Sequence, residues 1–263
     1  DTDVSLAQLI AMFIGGAVIM VGGIVDDVFD LSPRYQIMLA VAAVLVVIFS
    51  PLRPDVITNP FGGAWSLRSI SFPIDGLAQV VLLADVVTFL WLMGIMFTTK
   101  ILDGLDGLAA GIAAIGALLL SILTLQQQWY QPGVARLALI LMGSCLGFLV
   151  WNWHPARVFL GQGGSLFIGF MLAILALLAG GKIATAFLVL GVPILDIIRV
   201  ATYRVWHGQS VFHADNEHLH YKLLRSGLSH RQAVLLLYTI SFLFGMTTLF
   251  FQSRQLLVAL SFL

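Results

Sequence analysis

The chain alternates long apolar runs with short polar stops. Apolar stretches lie at about 6–25, 36–51, 85–98 (extendable back to 77), 107–125, 134–152, 165–180, 183–202 and 232–252, and a partial one begins at 255. Each is bounded by Gly, Pro or a charge, the pattern by which hydropathy marks transmembrane helices. In lipid the backbone finds no water to bond, so a helix is the natural solution for each run. Pro193 and Asp196 fall inside the seventh run and predict a kink with a polar face turned into the bundle. The segment 52–76 differs: its turn formers and β-branched residues predict a small external β-hairpin, with Phe61 and Trp65 at the membrane interface. The expected fold is all-α, a polytopic membrane helix bundle of about eight or nine spans with functional loops on one side.

Composition strengthens this picture. The 263 residues are 60% hydrophobic and 10% charged, against about 25% charged in soluble domains. A net charge of zero offers no polyanion-binding surface, so nucleic acid is not an expected partner. The single Cys145 excludes a disulfide within the chain and reads as a small buried residue. There is no HExxH, CxxC or Walker-type pattern and no fixed-period repeat, so 1–263 reads as one integral membrane domain. The final apolar segment is too short to span, since about 20 residues are needed; the expectation is a domain trimmed of helices at one or both ends.

Counting crossings puts 26–35, 99–106, 153–164 and 203–231 on one side. All six histidines lie there, with Asp26, Asp27, Asp30, Asp103, Asp106, Asp215 and Glu217. Arg34, Lys100, Arg157, Arg199, Arg204, Lys222, Arg225 and Arg231 belong to it; Arg53, Arg68, Arg136, Lys182 and Arg254 lie opposite. By the positive-inside rule the eight-to-five excess makes the first side cytoplasmic.

Four stretches on that side carry candidate chemistry. Asp103 and Asp106, three residues apart, would share one helical face at a depth where charge is costly; the bland alternative is a solvated turn. Adjacent Asp26 and Asp27 repel each other, which suits one of them to hold a proton near neutral pH, for general-base work or metal binding. Asp30 reads as a helix end facing water. Gly161-Gln162-Gly163-Gly164-Ser165 opens the sixth run, where backbone N–H groups and the helix dipole favour an anion such as a diphosphate; a tight membrane-edge loop is the plainer reading. His218 and His220 lie in the longest cytoplasmic loop beside Lys222, Arg225 and Arg231. A solvated basic loop explains the cations but not the imidazoles. Together these loops suggest phosphate chemistry between a water-soluble and a lipid partner.

With the motifs assembled, the chain resembles the polyprenyl-phosphate N-acetylhexosamine-1-phosphate transferases, the WecA/MraY group, and within it the WecA-like branch. The matching pieces are Gly22 through Asp30, Leu102 through Gly111, Asn152 through Gly161 with Gly164-Ser165, and Asp215 through Lys222 followed by Gly227 through Ala233. The resemblance implies transfer of a sugar 1-phosphate, N-acetylglucosamine 1-phosphate being favoured, from a UDP-sugar to undecaprenyl or another polyprenyl phosphate. UMP is released, and the step initiates cell-envelope glycan synthesis. It implies a multi-pass protein of the plasma membrane with a cytoplasmic active site and leaves a homodimer open. Carried over, Asp26 and Asp27 fall on the pair tied to lipid-phosphate activation, Asp103 and Asp106 on the second acidic motif, and His218 and His220 on the motif near the diphosphate. Asn152 and the following loop fall near the nucleotide, and Lys100, Gly161, Gly163, Gly164, Ser165 and Lys222 join the substrate-binding set.

The family also implies Mg2+. Here Lys100 stands where the family has Asn, Gln162 where it has a metal-binding Asp, and Tyr221 where it has a further His. The first two changes remove about two units of negative charge from the ion's place. One reading puts the Lys100 ammonium in that place to neutralise the diphosphate; the favoured one is an inactive homologue that binds prenyl phosphate or nucleotide sugar, or a substitution introduced for study. A transporter or flippase using Asp85 and Asp196 is the other rival.

Overall fold

In the computed structural model, the described residues are 4–54, 56–58, 64–67, 71–72, 80–127, 130–180, 189–206 and 218–250. Asp215, Glu217, His207, His213 and the partial segment from 255 lie outside them. The helices are α1 (Leu6–Phe29), α2 (Pro33–Ile48), α3 (Leu82–Leu102), α4 (Leu108–Thr124), α5 (Pro132–Asn152), α6 (Gly161–Leu178), α7 (Gly191–Trp206), α8 (Leu219–Arg225) and α9 (His230–Phe250). Two short antiparallel pairs join α2 to α3: β1 (Val56–Thr58) with β2 (Ala64–Ser66), and β3 (Ser71–Phe72) with β4 (Val80–Val81).

Local chemistry explains several helix starts. Ser5 and Gln8 close a reciprocal capping box on α1. Pro33 and Pro132 sit in the first turns of α2 and α5, where a missing N–H costs nothing. Five helices, α1, α3, α5, α6 and α9, are long and apolar enough to cross a membrane; α2 and α4 are apolar but shorter. The chain is thus a multi-pass membrane protein.

Helix α4 lies at the centre and is buried along almost all its length, from Leu108 to Thr124. Its Ala and Gly residues let α5, α6 and α9 approach closely, which is how helices associate where lipid removes the hydrophobic drive. Helix α6 packs against α1 and α3. Where α1 meets α6, Gly23 faces Gly163 backbone to backbone, and a Cβ on Gly23 would collide with the Gly163 main chain. Helix α5, by contrast, turns Ile140, Val150 and Trp151 outward, as a lipid-facing helix does.

Two expectations change. Asp103 and Asp106 do not share a helical face: Asp103 caps the end of α3, and the chain turns through 103–107 before α4 begins. Gly104 and Gly107 favour that turn; Gly107, with φ of 81°, caps the start of α4 in the left-handed region. For the glycine-rich stretch it is the plainer reading that changes: it is not a loop before α6 but opens that helix as its first turn, from Gly161. Gly163 serves the close crossing with α1.

Candidate active site

The C-terminal ends of α1, α3 and α5, the N-terminal ends of α2, α4, α6 and α9, and the α7–α8 pair carry the sequence-selected residues, in three groups.

The first group joins α1, α2, α3 and α6. Asp26 Oδ1 accepts hydrogen bonds from the Leu31 backbone at 3.1 Å and from Gln36 Nε2 at 3.0 Å. Lys100 Nζ donates to Gln36 Oε1 at 3.0 Å and to Gln162 Oε1 at 2.8 Å. Asp27 is exposed, and its carboxylate lies beside Gly161. The adjacent acids therefore face different partners. Gln36 is the residue that sequence reasoning missed; an amide opening an apolar helix carries no local signal.

The second group surrounds the turn between α3 and α4. Asp106 Oδ2 lies 2.7 Å from His154 Nδ1 and accepts from the Ala156 N–H at 3.2 Å. The His154 ring stacks on His230, centroids 4.0 Å apart, and Arg231 donates to the His154 carbonyl. Burial alone would raise the Asp106 carboxyl. The His154 hydrogen bond, the Ala156 N–H and the charges of His230 and His154 outweigh it and hold the group below the usual carboxylate range. Asp103 goes the other way: burial, with the Asp106 charge adding, pushes it up to about 7. Asn152 is buried; its Oδ1 accepts from the Gly107 N–H and its Nδ2 donates to the Val158 carbonyl, both at 2.9 Å. Tyr238 donates to the Gly107 carbonyl.

The third group is built on Asp196. One carboxylate oxygen accepts from Arg199; the other accepts from the Leu219 N–H at 2.8 Å and lies 2.9 Å from His218 Nδ1. The pattern placed Asp196 on a polar face; its partners make it the anchor of the histidine loop. His220 is buried, stacks on His218 with centroids 5.8 Å apart, and directs Nε2 at Gly104. Burial, with the His218 charge adding, holds His220 down to about 4, so it is neutral at neutral pH. Its Nε2 carries no hydrogen bond among the described residues. A Cβ at position 104 would come within 2.7 Å of that nitrogen, so the turn needs glycine there.

Three further candidates also make contacts within the framework. Ser165 is buried and donates to the Gly161 and Gln162 carbonyls of its own helix. Gly164 packs on Leu160. Lys222 is half-buried in α8, its N–H bonded to the His218 carbonyl. Asp85, which a transporter would use, pairs with Arg53 at 3.2 Å at the opposite end of α3.

A family model described as "Glycosyl transferase family 4" matches residues 9–180. The chain belongs to glycosyl transferase family 4. Its family-4 relatives extend the likeness through the histidine loop. A protein of Bacillus subtilis, named a probable undecaprenyl-phosphate N-acetylglucosaminyl 1-phosphate transferase, is 32% identical over 96% of this chain and 68% of its own length. A decaprenyl-phosphate N-acetylglucosaminephosphotransferase of Mycobacterium leprae is 33% identical over 93% of this chain and 66% of its own. A phospho-N-acetylmuramoyl-pentapeptide-transferase of Halalkalibacterium halodurans is 33% identical over 61% of this chain and 49% of its own. This family-4 chain thus spans about two thirds of the length of the first two.

Asp106, His154 and His230 each offer a ligand atom, all within 4.8 Å of one another, and could hold a metal ion. Two imidazoles and one carboxylate suit a transition metal better than Mg2+, which takes oxygen ligands.

Proposed function

We propose that this family-4 protein transfers N-acetylglucosamine 1-phosphate from a UDP-sugar to undecaprenyl phosphate, releasing UMP, at the cytoplasmic face of the plasma membrane. The observation that carries this reading is the adjacency of a polar end and an apolar cavity. A cavity of about 470 Å³ runs between α3 and α7, lined by Trp91, Gly94, Phe97, Ile101, Ile194 and Ile198. Its lining runs from Val87 to Ile101, roughly 20 Å at the rise of a helix. Ile101 lies between Lys100 and Asp103, so a prenyl tail in the cavity would bring its phosphate to the acidic end. The names of the relatives support a polyprenyl phosphate acceptor and transfer of N-acetylglucosamine phosphate. The cytoplasmic orientation rests on the excess of basic residues on that side. On this reading α2, α4 and α7 cross the membrane as well.

In the proposed reaction an oxygen of the lipid phosphate attacks the β-phosphorus of the UDP-sugar. A new P–O bond forms there and the bond to UMP breaks, UMP leaving with the electron pair. Such transfers depend mostly on positioning and charge stabilisation. Exposed Asp27 can take the proton of the lipid phosphate as it attacks, while Asp26 holds Gln36 and the turn between α1 and α2. Asp103, poised near neutrality, can take or return a proton. His220, neutral at neutral pH, and His218 line the diphosphate side, with Asp196 holding the loop. Mg2+ does not fit the positions that the family would use. The oxygens of Gln36 and Gln162 are occupied by the Lys100 ammonium, and no carboxylate stands at 100 or 162, so no step is routed through that ion.

The test is transfer of radiolabelled N-acetylglucosamine phosphate to undecaprenyl phosphate in liposomes, with UMP measured alongside. Labelled lipid and UMP in equal amounts are expected. Nucleotide sugar bound without UMP release would instead favour a non-catalytic relative, and lipid flux without turnover would favour a transporter.

A further inference from the structure

We propose that Lys100 is the resident cation of this site: its ammonium binds the diphosphate of the nucleotide sugar directly, in the place of a divalent ion. This rests on the reading that the site takes a UDP-sugar.

The argument begins with the donors. An ammonium has three N–H groups. Two of those on Lys100 go to Gln162 Oε1 and Gln36 Oε1, at 2.8 and 3.0 Å. Those bonds fix Nζ between α2 and α6. Its third donor makes no hydrogen bond among the described residues; the Phe97 ring lies 5.8 Å away. A held ammonium with one donor to spare is arranged to meet an anion.

Charge points the same way. Both fixed partners are neutral amides, so the positive charge of Lys100 is not cancelled at contact. Asp26, which accepts from Gln36 and Leu31, is the carboxylate whose charge acts on Lys100, but it makes no contact with the ammonium among the described hydrogen bonds. A divalent ion held by one carboxylate and one amide presents a net charge of +1, and an ammonium held by two amides presents the same. Substituting Lys100 and Gln162 together thus conserves the charge offered to phosphate oxygens while removing the ion. Either change alone would not: a lysine beside an aspartate would be neutralised, and a glutamine without the lysine would leave no cation.

The position is also sound. Nζ is pinned against Gln162 in the first turn of α6, whose leading N–H groups have no helical partner. Asp27 and Gly161 flank the same point. A diphosphate there would meet the ammonium and the α6 amides together, within reach of the acidic end.

The test is calorimetric titration of the purified full chain with UDP-N-acetylglucosamine, in EDTA and in Mg2+, alongside Mn2+ binding followed by electron paramagnetic resonance. Wild type is expected to bind with equal affinity in both buffers. Lys100→Met should weaken binding at least about tenfold in both, about 1.4 kcal/mol, and Lys100→Arg should retain most of it. The paired Lys100→Asn/Gln162→Asp should gain a Mn2+ site relative to wild type and bind nucleotide sugar only when a divalent ion is present. Wild-type binding that vanishes in EDTA, no binding in either buffer, or Lys100→Met binding like wild type with its melting temperature intact, would each overturn the proposal. Transfer assays on the same samples separate the two readings. Metal-free, Lys100-dependent binding without UMP release would sink the transferase reading and leave Lys100 its role. Turnover that strictly needs Mg2+ would do the reverse.

Discussion

Asp103 and Asp106 are three residues apart and titrate in opposite directions because one is buried and the other is met by His154, Ala156 and His230. Below about 7 Asp103 holds its proton, and above it is a carboxylate. Transfer activity that uses the carboxylate therefore rises as pH passes through 7, and Asp103→Asn removes that limb. Asp106→Asn deletes the charge that adds to the shift, so the limb moves to lower pH. Both are read from kcat/KM against pH, and a limb that survives in Asp103→Asn belongs to another group. At this scale the residue types were legible in the sequence but their pairings were not. His154 and His230 meet Asp106 across 48 and 124 residues, a distance that local pattern does not bridge. Gln36 was opaque for another reason: an amide does not declare from its neighbours whether it faces substrate or backbone.

The next scale is the helix and its ends. Asp196 ties α7 to α8 by accepting from the Leu219 N–H and meeting His218. Asp196→Ala should loosen this tether and raise amide hydrogen exchange in Leu219–Arg225 by about tenfold, since hydrogen bonds to charged groups contribute roughly 1.5–3 kcal/mol. Exchange unchanged at Leu219 would mean that the loop is held elsewhere. Gly163→Ala should separate α1 from α6 and lower the melting temperature, at an overpacking cost of about 1–3 kcal/mol. A melt equal to wild type would show that the crossing can relax. Helix positions were well foretold, because hydropathy and stop residues report them directly. The helices overran the apolar runs, α3 reaching Leu102 and α6 starting at Gly161, because their polar end turns belong to the site and lower the hydropathy there.

For the molecule as a whole, one end holds the charged groups and the α3–α7 cavity leads away from it along the apolar length. Gly94 lines that cavity and has open space where a side chain would begin. Gly94→Phe should therefore raise KM for undecaprenyl phosphate by about tenfold or more, on the order of the 1.5–3 kcal/mol that burying a large apolar side chain commands. UDP-N-acetylglucosamine binding should stay unchanged, and a short-chain prenyl phosphate should be less affected. Equal losses for long and short acceptors would remove the tail from this cavity. The sequence led to the expectation that the acidic, glycine and histidine stretches gather, because the number of crossings fixes which loops share an end. The cavity did not, since its walls come from residues about 100 positions apart and look like any lipid-facing helix.

The meeting of Gly23 with Gly163 has a bearing on mutagenesis. Both glycines sit within a few positions of groups assigned to chemistry, and both will prove intolerant of replacement for reasons of room. A systematic alanine scan scored by product alone would rank them with the reactive side chains. Only a parallel measure of folded protein would separate a lost contact to substrate from two main chains pushed apart.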